Sequence, residues 1–190
     1  MVGSSILPVS FYKNKLYFLF GKENELADTP GWSDFGGGVE KGESIINTAM
    51  REGGEELTGF FGDEDIIKKN IRKRGGIYHI NYNDQYHVHI ISIPYDENLP
   101  DYYNNNHSFL WKKMNKYVLN KTKLFEKIKI KWFSVDEMSK CKSKFRKFYQ
   151  DILEKILEKK PDIEKFIRLS IKKNKTIKRK NKFNKTRKSV

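Results

Sequence analysis

Short apolar stretches separated by polar turns dominate the pattern of hydrophobic and polar positions along the chain. Five of these stretches, rich in Ile, Val, Phe and Tyr, have the length and composition of β-strands. They lie at residues 6–11, 16–20, 76–82, 85–94 and 127–133. The turns Lys13-Asn14-Lys15 and Asn83-Asp84 are short enough to close hairpins. We therefore predict that the first strand pairs with the second, and the third with the fourth.

Other segments carry their apolar residues at helical spacing. Residues 44–57 have Ile, Ala, Met and Leu on one side of a predicted helix. A polar loop is expected at 96–106, followed by an amphipathic helix at 108–119. These two helices separate the predicted strands.

The last third of the chain is predicted to be helical. Ser134 with Glu137 three residues later matches the start of a helix with a capping box. The apolar spacing then predicts one long helix as far as Ile156, and Pro161 suits the first turn of a further helix. Since strands and helices alternate irregularly and hairpins occur, we expect an α/β fold with a mixed sheet between helices rather than a parallel doubly wound sheet.

Composition restricts the environment in which the protein works. Cys141 is the single cysteine of 190 residues, so no internal disulfide can form, and a reducing, intracellular compartment is favoured. No apolar run approaches the roughly 18 residues that span a bilayer. The N-terminal residues lack the basic region of a signal peptide. We expect a soluble cytoplasmic or nuclear protein without a membrane partner.

Positive charge is concentrated at the C-terminus. Ten of the net +14 charges lie after Ile171 with no acidic residue among them, which leaves about +4 for residues 1–171. This asymmetry predicts one domain over residues 1–170 and a basic, disordered tail over residues 171–190. The tail suits an RNA backbone or another polyphosphate. A merely solubilising tail and a nuclear localisation patch remain alternatives.

Three glutamates share one face of the predicted helix at 44–57. Glu52, Glu55 and Glu56 stand at i, i+3 and i+4, where their charges repel one another. Mg²⁺ or Mn²⁺ would relieve this repulsion, since both prefer oxygen ligands. A solvated acidic face is the alternative that the glutamates alone leave open.

The spacing around these glutamates matches a longer motif. Six positions fit a glycine, five residues, Glu, seven residues, Arg-Glu, two residues and Glu-Glu; they are Gly37, Glu43, Arg51, Glu52, Glu55 and Glu56. This arrangement resembles the Nudix box. The resemblance implies a Nudix-type α/β/α sandwich with additional C-terminal helices. It also implies metal-dependent hydrolysis of a phosphoanhydride bond in a nucleoside diphosphate linked to another group.

Two features depart from the family pattern. Gly53 stands where the family has an aliphatic residue, and Gly54 follows it. Each mid-helix glycine costs about 0.5–1 kcal/mol relative to alanine, so this helix depends on tertiary packing. The closing glycine, Gly59, also comes one position late. These departures affect the helix and its exit, and they leave every acidic position of the motif in place.

The resemblance assigns roles to the residues of the box. It makes Glu52, Glu55 and Glu56 the ligands of Mg²⁺ or Mn²⁺, with Glu55 also counted among the catalytic residues. Arg51 and Glu43 become the pair that orients these carboxylates. Gly37 and Gly38 allow the tight turn into the helix, and they are also candidate substrate contacts.

A general base is expected outside the box, shortly before a strand with the pattern Trp-aromatic-Ser. Glu126, six residues before Trp132, fits that description. Asp96, Glu97 and Asp101 are the competing carboxylates.

Aromatic and histidine side chains offer further candidates. Six aromatic residues are able to stack on a base: Trp32, Tyr95, Tyr102, Tyr103, Phe109 and Trp111. Trp32 is preferred because it lies just before the box. His79, His87 and His89 suggest zinc, but sheet packing or substrate contact suits alternating strand positions without cysteine better.

The motif indicates the reaction but not the substrate. We favour the 5′ cap of RNA, because the tail and the lysine-rich segments 112–123 and 140–147 are suited to hold an RNA body. A small-nucleotide pyrophosphatase is the alternative, acting on nucleoside triphosphates, dinucleoside polyphosphates or nucleotide sugars. A nucleic-acid-binding Nudix fold without catalysis is a third reading, which the complete set of glutamates disfavours.

Overall fold

The computed structural model describes residues 2–24, 27–122 and 125–187, without the side chains of 120, 175 and 177–187. The strands are β1 Gly3–Tyr12, β2 Lys15–Glu23, β3 Trp32–Ser33, β4 Phe35–Gly38, β5 Ile77–Tyr82, β6 Tyr86–Ser92 and β7 Lys127–Ser134. The helices are α1 Ile45–Glu56, α2 Glu64–Lys73, α3 Leu99–Lys113, α4 Lys116–Lys121, α5 Val135–Lys140, α6 Tyr149–Glu158 and α7 Lys160–Arg187. Among the described residues, no helix combines the length and apolar character needed to cross a membrane.

Both predicted hairpins are present. Lys13 and Asn14 between β1 and β2 have φ values of 45° and 60°, and Asn83 and Asp84 between β5 and β6 have 52° and 54°. Two successive left-handed residues make the turn whose twist matches paired strands, and Asn and Asp tolerate this conformation well. The local turn chemistry therefore confirms the pairing predicted from the sequence.

The strands form one mixed sheet in the order β3-β2-β1-β6-β5, with β4 added to β1 and β7 to β2. The pairing of β1 with β6 is parallel, with Ile6 opposite His89, and the other pairings are antiparallel. The mixed sheet expected from the sequence is confirmed.

Helices cover both faces of the sheet. Along β1, Leu7 and Val9 face a core shared with α6 and α7, whereas Ile6 faces a second core shared with α1, α2 and α3. Successive side chains of a strand point to opposite faces, so an apolar strand such as β1 serves both cores. The result is the predicted α/β/α arrangement with additional C-terminal helices.

Two helices on the α1 side of the sheet differ from the prediction. Helix α2 was not predicted, because a polar segment offers only Ile67 and Ile71 to the core. Helix α3 begins at Leu99, inside the predicted polar loop 96–106, and ends at Lys113 instead of residue 119. Its asparagines favour loops locally, but tertiary contacts hold the helix. Asn104, for example, exchanges hydrogen bonds with the backbone of Ile130 at 2.8 and 3.2 Å.

The long helix predicted from Ser134 to Ile156 is wrong. Ser134 and Glu137 do form the predicted capping box, but α5 ends at Lys140. The chain then passes through a short 3-10 helix and an extended Phe145 before α6 begins at Tyr149. Phe145 is drawn into the core, and the Arg146 amide donates to the Trp32 carbonyl at 3.0 Å. Long-range burial therefore overrides local helical spacing.

The basic tail continues the last helix. The backbone of α7 is helical through Arg187, over most of the segment 171–190 that was expected to be disordered. Most of the tail's lysine and arginine side chains, and all of residues 188–190, lie outside the described residues. The division into a domain over 1–170 and a separate tail remains a prediction.

Candidate active site

Helix α1 carries the glutamates of the sequence motif against the edge of β4. Ser44 caps the helix, its hydroxyl accepting a hydrogen bond from the Asn47 amide at 3.3 Å. Glu52 and Glu56 are buried, with 9% and 2% of their surface exposed, while one third of the Glu55 side chain is open to solvent. The three carboxylates therefore share a helix face but differ in environment.

Arg51 and Glu43 form a two-pronged ion pair. Nε and Nη2 of Arg51 donate to the two carboxylate oxygens of Glu43 at 3.0 and 3.1 Å. The same guanidinium reaches Glu52 at 2.8 Å and Glu55 at 3.5 Å through Nη1. Hydrogen bonding to Arg51 lowers the pKa of Glu43 to about 2. Such a fork has a fixed geometry, so it can set the orientation of the neighbouring acids.

The glycines of β4 allow the buried carboxylates to approach the backbone. A Cβ atom at Gly37 would lie 2.4 Å from Oε1 of Glu52. The amide of Gly36 donates to Oε2 of Glu56 at 2.7 Å. A side chain at Gly37 would displace Glu52, and one at Gly36 would clash with Ser4 and Ser5 of β1, which explains both glycines without any appeal to a turn.

A buried network continues from Glu56 into the sheet. The ammonium of Lys127 lies 3.2 Å from Oε1 of Glu56, donates to the Ser33 hydroxyl at 2.9 Å and pairs with Glu23. Nη1 of Arg146 donates to the same oxygen of Glu23, Oε1, at 2.7 Å. The network thus contains two acids and two basic groups from four different parts of the chain.

The charges of this network are strongly coupled. Burial raises the pKa of Glu56 well above its usual value, and the charges of Glu23, Glu126 and Glu52 act in the same direction, against Lys127. For Lys127, burial lowers the pKa but Glu56 and Glu23 outweigh it, so its pKa is raised. The lysine is therefore charged. Glu126 is half-buried and directly precedes Lys127, whose ammonium lies 3.2 Å from Glu56. Its charge contributes to the raised pKa of Glu56.

The donor set around α1 suits a divalent cation in its chemistry. Carboxylate oxygens are the ligands that Mg²⁺ and Mn²⁺ prefer, and a cation would relieve the cost of burying Glu56. Among the described residues, no three acidic, histidine or cysteine side chains already converge as a metal site. Glu52 and Glu55 point instead towards Arg51, so a bound cation would have to draw at least one of them away.

A cavity of about 410 Å³ adjoins the glycine strand. It is lined by aromatic rings, by one guanidinium and by backbone, with Gly36, Gly37, Gly38, Tyr82, Tyr86, Arg146 and Phe148 among the lining residues. The guanidinium carbon of Arg146 lies 4.9 Å from the centre of the Phe148 ring. This combination suits a ligand with an aromatic ring and negative charge.

A second cavity, of about 490 Å³, lies between α2 and the end of β6. Its walls are largely apolar and include Phe60, Ile67 and Ile93. No box glutamate lines either cavity, but the first includes the glycines of β4 that Glu52 and Glu56 contact, and the second does not. The smaller cavity is therefore the better candidate for phosphate chemistry.

Several candidates from the sequence have other contacts. Trp32 packs edge-on against Phe133 at 5.1 Å and does not line the cavity at the glycine strand. Asp96 accepts a hydrogen bond from the Asn98 amide at the start of α3. Tyr103 is fully buried, and its hydroxyl donates to the Glu56 carbonyl at 2.6 Å. These contacts are structural, and Tyr103 supports the end of α1.

The three histidines lie together on the sheet. Nε2 of His79 is 3.1 Å from Nδ1 of His87, and His89 contacts the Ser5 carbonyl at 3.0 Å. Burial lowers the pKa of His79, and that of His89 to about 4. His79 and His89 are therefore neutral at physiological pH, and the three rings contact one another and the backbone.

The sequence did not identify Glu23, Lys127, Arg146, Tyr86 or Phe148 as site residues. Lys127 looked like one of three exposed lysines at alternate strand positions. Arg146 and Phe148 fell within the helix that was wrongly predicted. Glu23 lies three residues beyond the predicted strand 16–20, and its partners are distant in sequence, so no local pattern marked it.

Comparisons with known proteins identify the family of this chain. The family described as NUDIX domain matches residues 9–156, and no curated protein matches the chain. An Ap4A hydrolase from C. elegans is 13% identical, covering 81% of this chain and 94% of its own, with a TM-score of 0.47. A MutT protein from Methanosarcina mazei is 16% identical, covering 85% and 94%, with a TM-score of 0.45. The family match spans most of the chain and includes the complete box, so this protein belongs to the Nudix family and is a hydrolase.

Proposed function

We propose that this hydrolase cleaves a phosphoanhydride bond in the 5′ cap of RNA. The observation that carries the proposal is the cavity beside Gly36–Gly38, where Tyr86 and Phe148 offer rings to a base and Arg146 offers a guanidinium to phosphate. The cavity adjoins the strand on which Glu52 and Glu56 rest. A base bound there would place its attached phosphates towards these acids.

Glu52, Glu55 and Glu56 are the proposed ligands of Mg²⁺ or Mn²⁺. Such a cation neutralises phosphate charge and lowers the pKa of a bound water. Glu55 is the acid best able to move, since it is partly exposed and its contact with Arg51 is long, at 3.5 Å. The fork between Arg51 and Glu43 would keep the guanidinium in place while Glu55 turns.

Glu126 is the proposed general base. It would accept a proton from the water whose oxygen forms the new bond to phosphorus. The bond from that phosphorus to the bridging oxygen breaks, and the leaving phosphate takes the electron pair. The position of Glu126 near Glu56 is consistent with this role.

The basic tail is proposed to hold the RNA body. Along β1, Gly3 lines the cavity and Ser10 lies near Ile171 and Asn174 of α7. The seven residue-to-residue steps from Gly3 to Ser10 along the strand place the two regions about 20 Å apart. A free nucleotide bound in the cavity would therefore not reach the tail, whereas a longer RNA would.

The test is release of product from a capped RNA, measured beside a panel of free nucleotides. We expect a methylated guanosine diphosphate and an RNA with a 5′-monophosphate, formed in Mg²⁺ or Mn²⁺ and abolished by EDTA. Faster turnover of a nucleoside triphosphate, dinucleoside polyphosphate or nucleotide sugar would instead favour the small-nucleotide alternative, because the cavity can also hold a free nucleotide.

A second measurement tests the cavity itself. Phe148→Ala removes an exposed ring that lines the cavity without touching the box. We expect KM for capped RNA to rise about tenfold, since stacking of one base is worth roughly 1–3 kcal/mol, and kcat to change little. Phe109→Ala removes another exposed ring, on α3 and outside the cavity, and is the control. Equal effects of both changes would contradict the cavity as the binding site.

A further inference from the structure

Lys127 is an unusual residue at the centre of the site. Its side chain has no exposed surface, although lysine is almost never fully buried unless it is paired. Each of the three ammonium protons has an oxygen partner, from Glu23, Ser33 and Glu56. The charge is therefore fully engaged inside the protein.

The fold makes specific room for this lysine. A shift in register between Lys22 and Glu23 leaves one extra residue in β7, so that Glu23 pairs with Lys127 and Lys22 with Lys129. A bulge of this kind reverses the side on which the next residue points. Gly21 also lacks a side chain where a Cβ atom would lie 2.8 Å from Cγ of Lys127.

The acids beside Lys127 need a positive charge. Glu23 and Glu56 are both buried, and a buried carboxylate without a partner is strongly destabilising. Arg146 pairs with Glu23, whereas the ion pair of Glu56 is made by Lys127. Without Lys127, Glu56 would face the neighbouring carboxylates Glu23, Glu126 and Glu52 with no basic group against it in the network.

We propose that the ammonium of Lys127 is a built-in counter-ion that takes the place of a second divalent cation in this acidic pocket. The free protein would then bind a single tight divalent cation, on the face formed by Glu52, Glu55 and Glu56. The inference rests on the metal face assigned under the proposed function, and it is independent of which phosphoanhydride is cleaved. Lys127 is therefore a positioning residue, which acts through the carboxylates of Glu23 and Glu56.

The experiment counts Mn²⁺ ions bound to the free protein by electron paramagnetic resonance. We expect a single tight ion in the wild type and a second in Lys127→Met, which keeps the length of the side chain and removes its charge. Lys129→Met is the matched control, since Lys129 is exposed on the same strand. Adding Glu23→Gln to Lys127→Met removes one of the two acids that contact Lys127 and should abolish the second ion.

Thermal unfolding provides a measurement that does not depend on counting the bound Mn²⁺ ions. A ligand that binds only the folded state stabilises it, so Mn²⁺ should raise the Tm of Lys127→Met more than that of the wild type or Lys129→Met. If Lys127→Met does not fold in EDTA, refolding in Mn²⁺ should recover it, and failure to recover would overturn the proposal.

Other outcomes would also overturn it. Two tight ions in the wild type would show that Lys127 replaces none. Lys127→Met could also bind the same number of tight Mn²⁺ ions as the wild type and show the same Mn²⁺-dependent rise in Tm. That result would show that the ammonium does not occupy the position of a second cation. Neither result depends on capped RNA, so a failure of the proposed substrate is distinguishable from a failure of this inference.

Discussion

Glu55 is the most accessible of the three box glutamates, and this distinguishes it as a test residue. Its carboxylate is held only by the long contact to Arg51, so Glu55→Gln should leave the fold intact. If Glu55 shares the cation, kcat should fall by about 10²-fold or more, the scale expected when charge stabilisation in the transition state is removed.

The control for this change is Glu64→Gln, which alters an exposed acid in the first turn of α2. Steady-state kinetics and thermal unfolding of both variants make the comparison. Wild-type turnover by Glu55→Gln would contradict the assignment of the metal face.

Asp34 gives the free energy of unfolding a specific dependence on pH. This acid is buried beside Ser5 and Tyr86, whose hydroxyls donate to it, and burial raises its pKa from 3.8 to about 6. Well below pH 4 the side chain is protonated in the folded and unfolded states alike. As pH rises from about 4 to 6 the unfolded state ionises while the folded state still holds its proton, so stability is lost, by about 3 kcal/mol.

Asp34→Asn should lack this loss. Because the change also removes an acceptor for two hydroxyls, its absolute stability should fall, and only the dependence on pH is informative. Urea unfolding between pH 4 and 7 should therefore show the two stabilities converging as pH rises. Parallel curves would show that Asp34 titrates normally in the folded protein.

At the scale of the element, the two adjacent glycines of α1 differ in whether the packing of the helix requires them. A Cβ atom at Gly53 would lie 2.3 Å from Cδ1 of the buried Ile6, whereas one at Gly54 would make ordinary contacts at 3.7 and 3.8 Å. Gly53 is thus required by the close packing of α1 on β1. Gly54 is only a weak helix former.

The two alanine substitutions should therefore change stability in opposite directions. Gly54→Ala should raise the free energy of unfolding by up to about 1 kcal/mol through helix propensity. Gly53→Ala should lower it, since overpacking a core costs about 1–3 kcal/mol. Thermal or urea unfolding of the two variants tests these opposite signs. Stabilisation by both substitutions would show that the Ile6 side chain moves aside at no cost in free energy.

Element boundaries were predictable where local chemistry decides them. The hairpin turns, the capping box at Ser134 and the start of α1 at Ser44 all depend on neighbouring residues, and they were correct. Helix α3 and the break before α6 depend on the backbone of β7 and on the burial of Phe145. Local periodicity contains no information about those partners.

At the scale of the whole molecule, the position of the tail separates the two candidate substrates. Residues 175–190 carry eight lysines and arginines and no acid. Removing them while retaining Asn174 should raise KM for long capped RNA several-fold, most at low salt, because each lost phosphate contact flattens the salt dependence by about 0.7 on a single strand. A cap dinucleotide should be hydrolysed as before.

A full-length variant with glutamine at those eight positions distinguishes charge from chain length, and it should behave like the truncated protein. Equal loss on long RNA and dinucleotide would mean that the tail supports the fold. No loss on either would make the small-nucleotide reaction the better proposal.

The sequence by itself determined the family, the acids of α1 and the Arg51–Glu43 pair, because their spacing along one helix and its preceding loop is a local property. It also determined the two hairpins, but it did not predict β4, the strand that contacts Glu52 and Glu56. Only the tertiary structure decided that Lys127 is buried, since a bulge in β7 reverses its side, and that Glu23 and Arg146 join it. The cavity beside β4 likewise depends on Tyr86 and Phe148, which are far apart in the sequence. Contacts of this kind depend on how distant segments pack, and no local pattern encodes them.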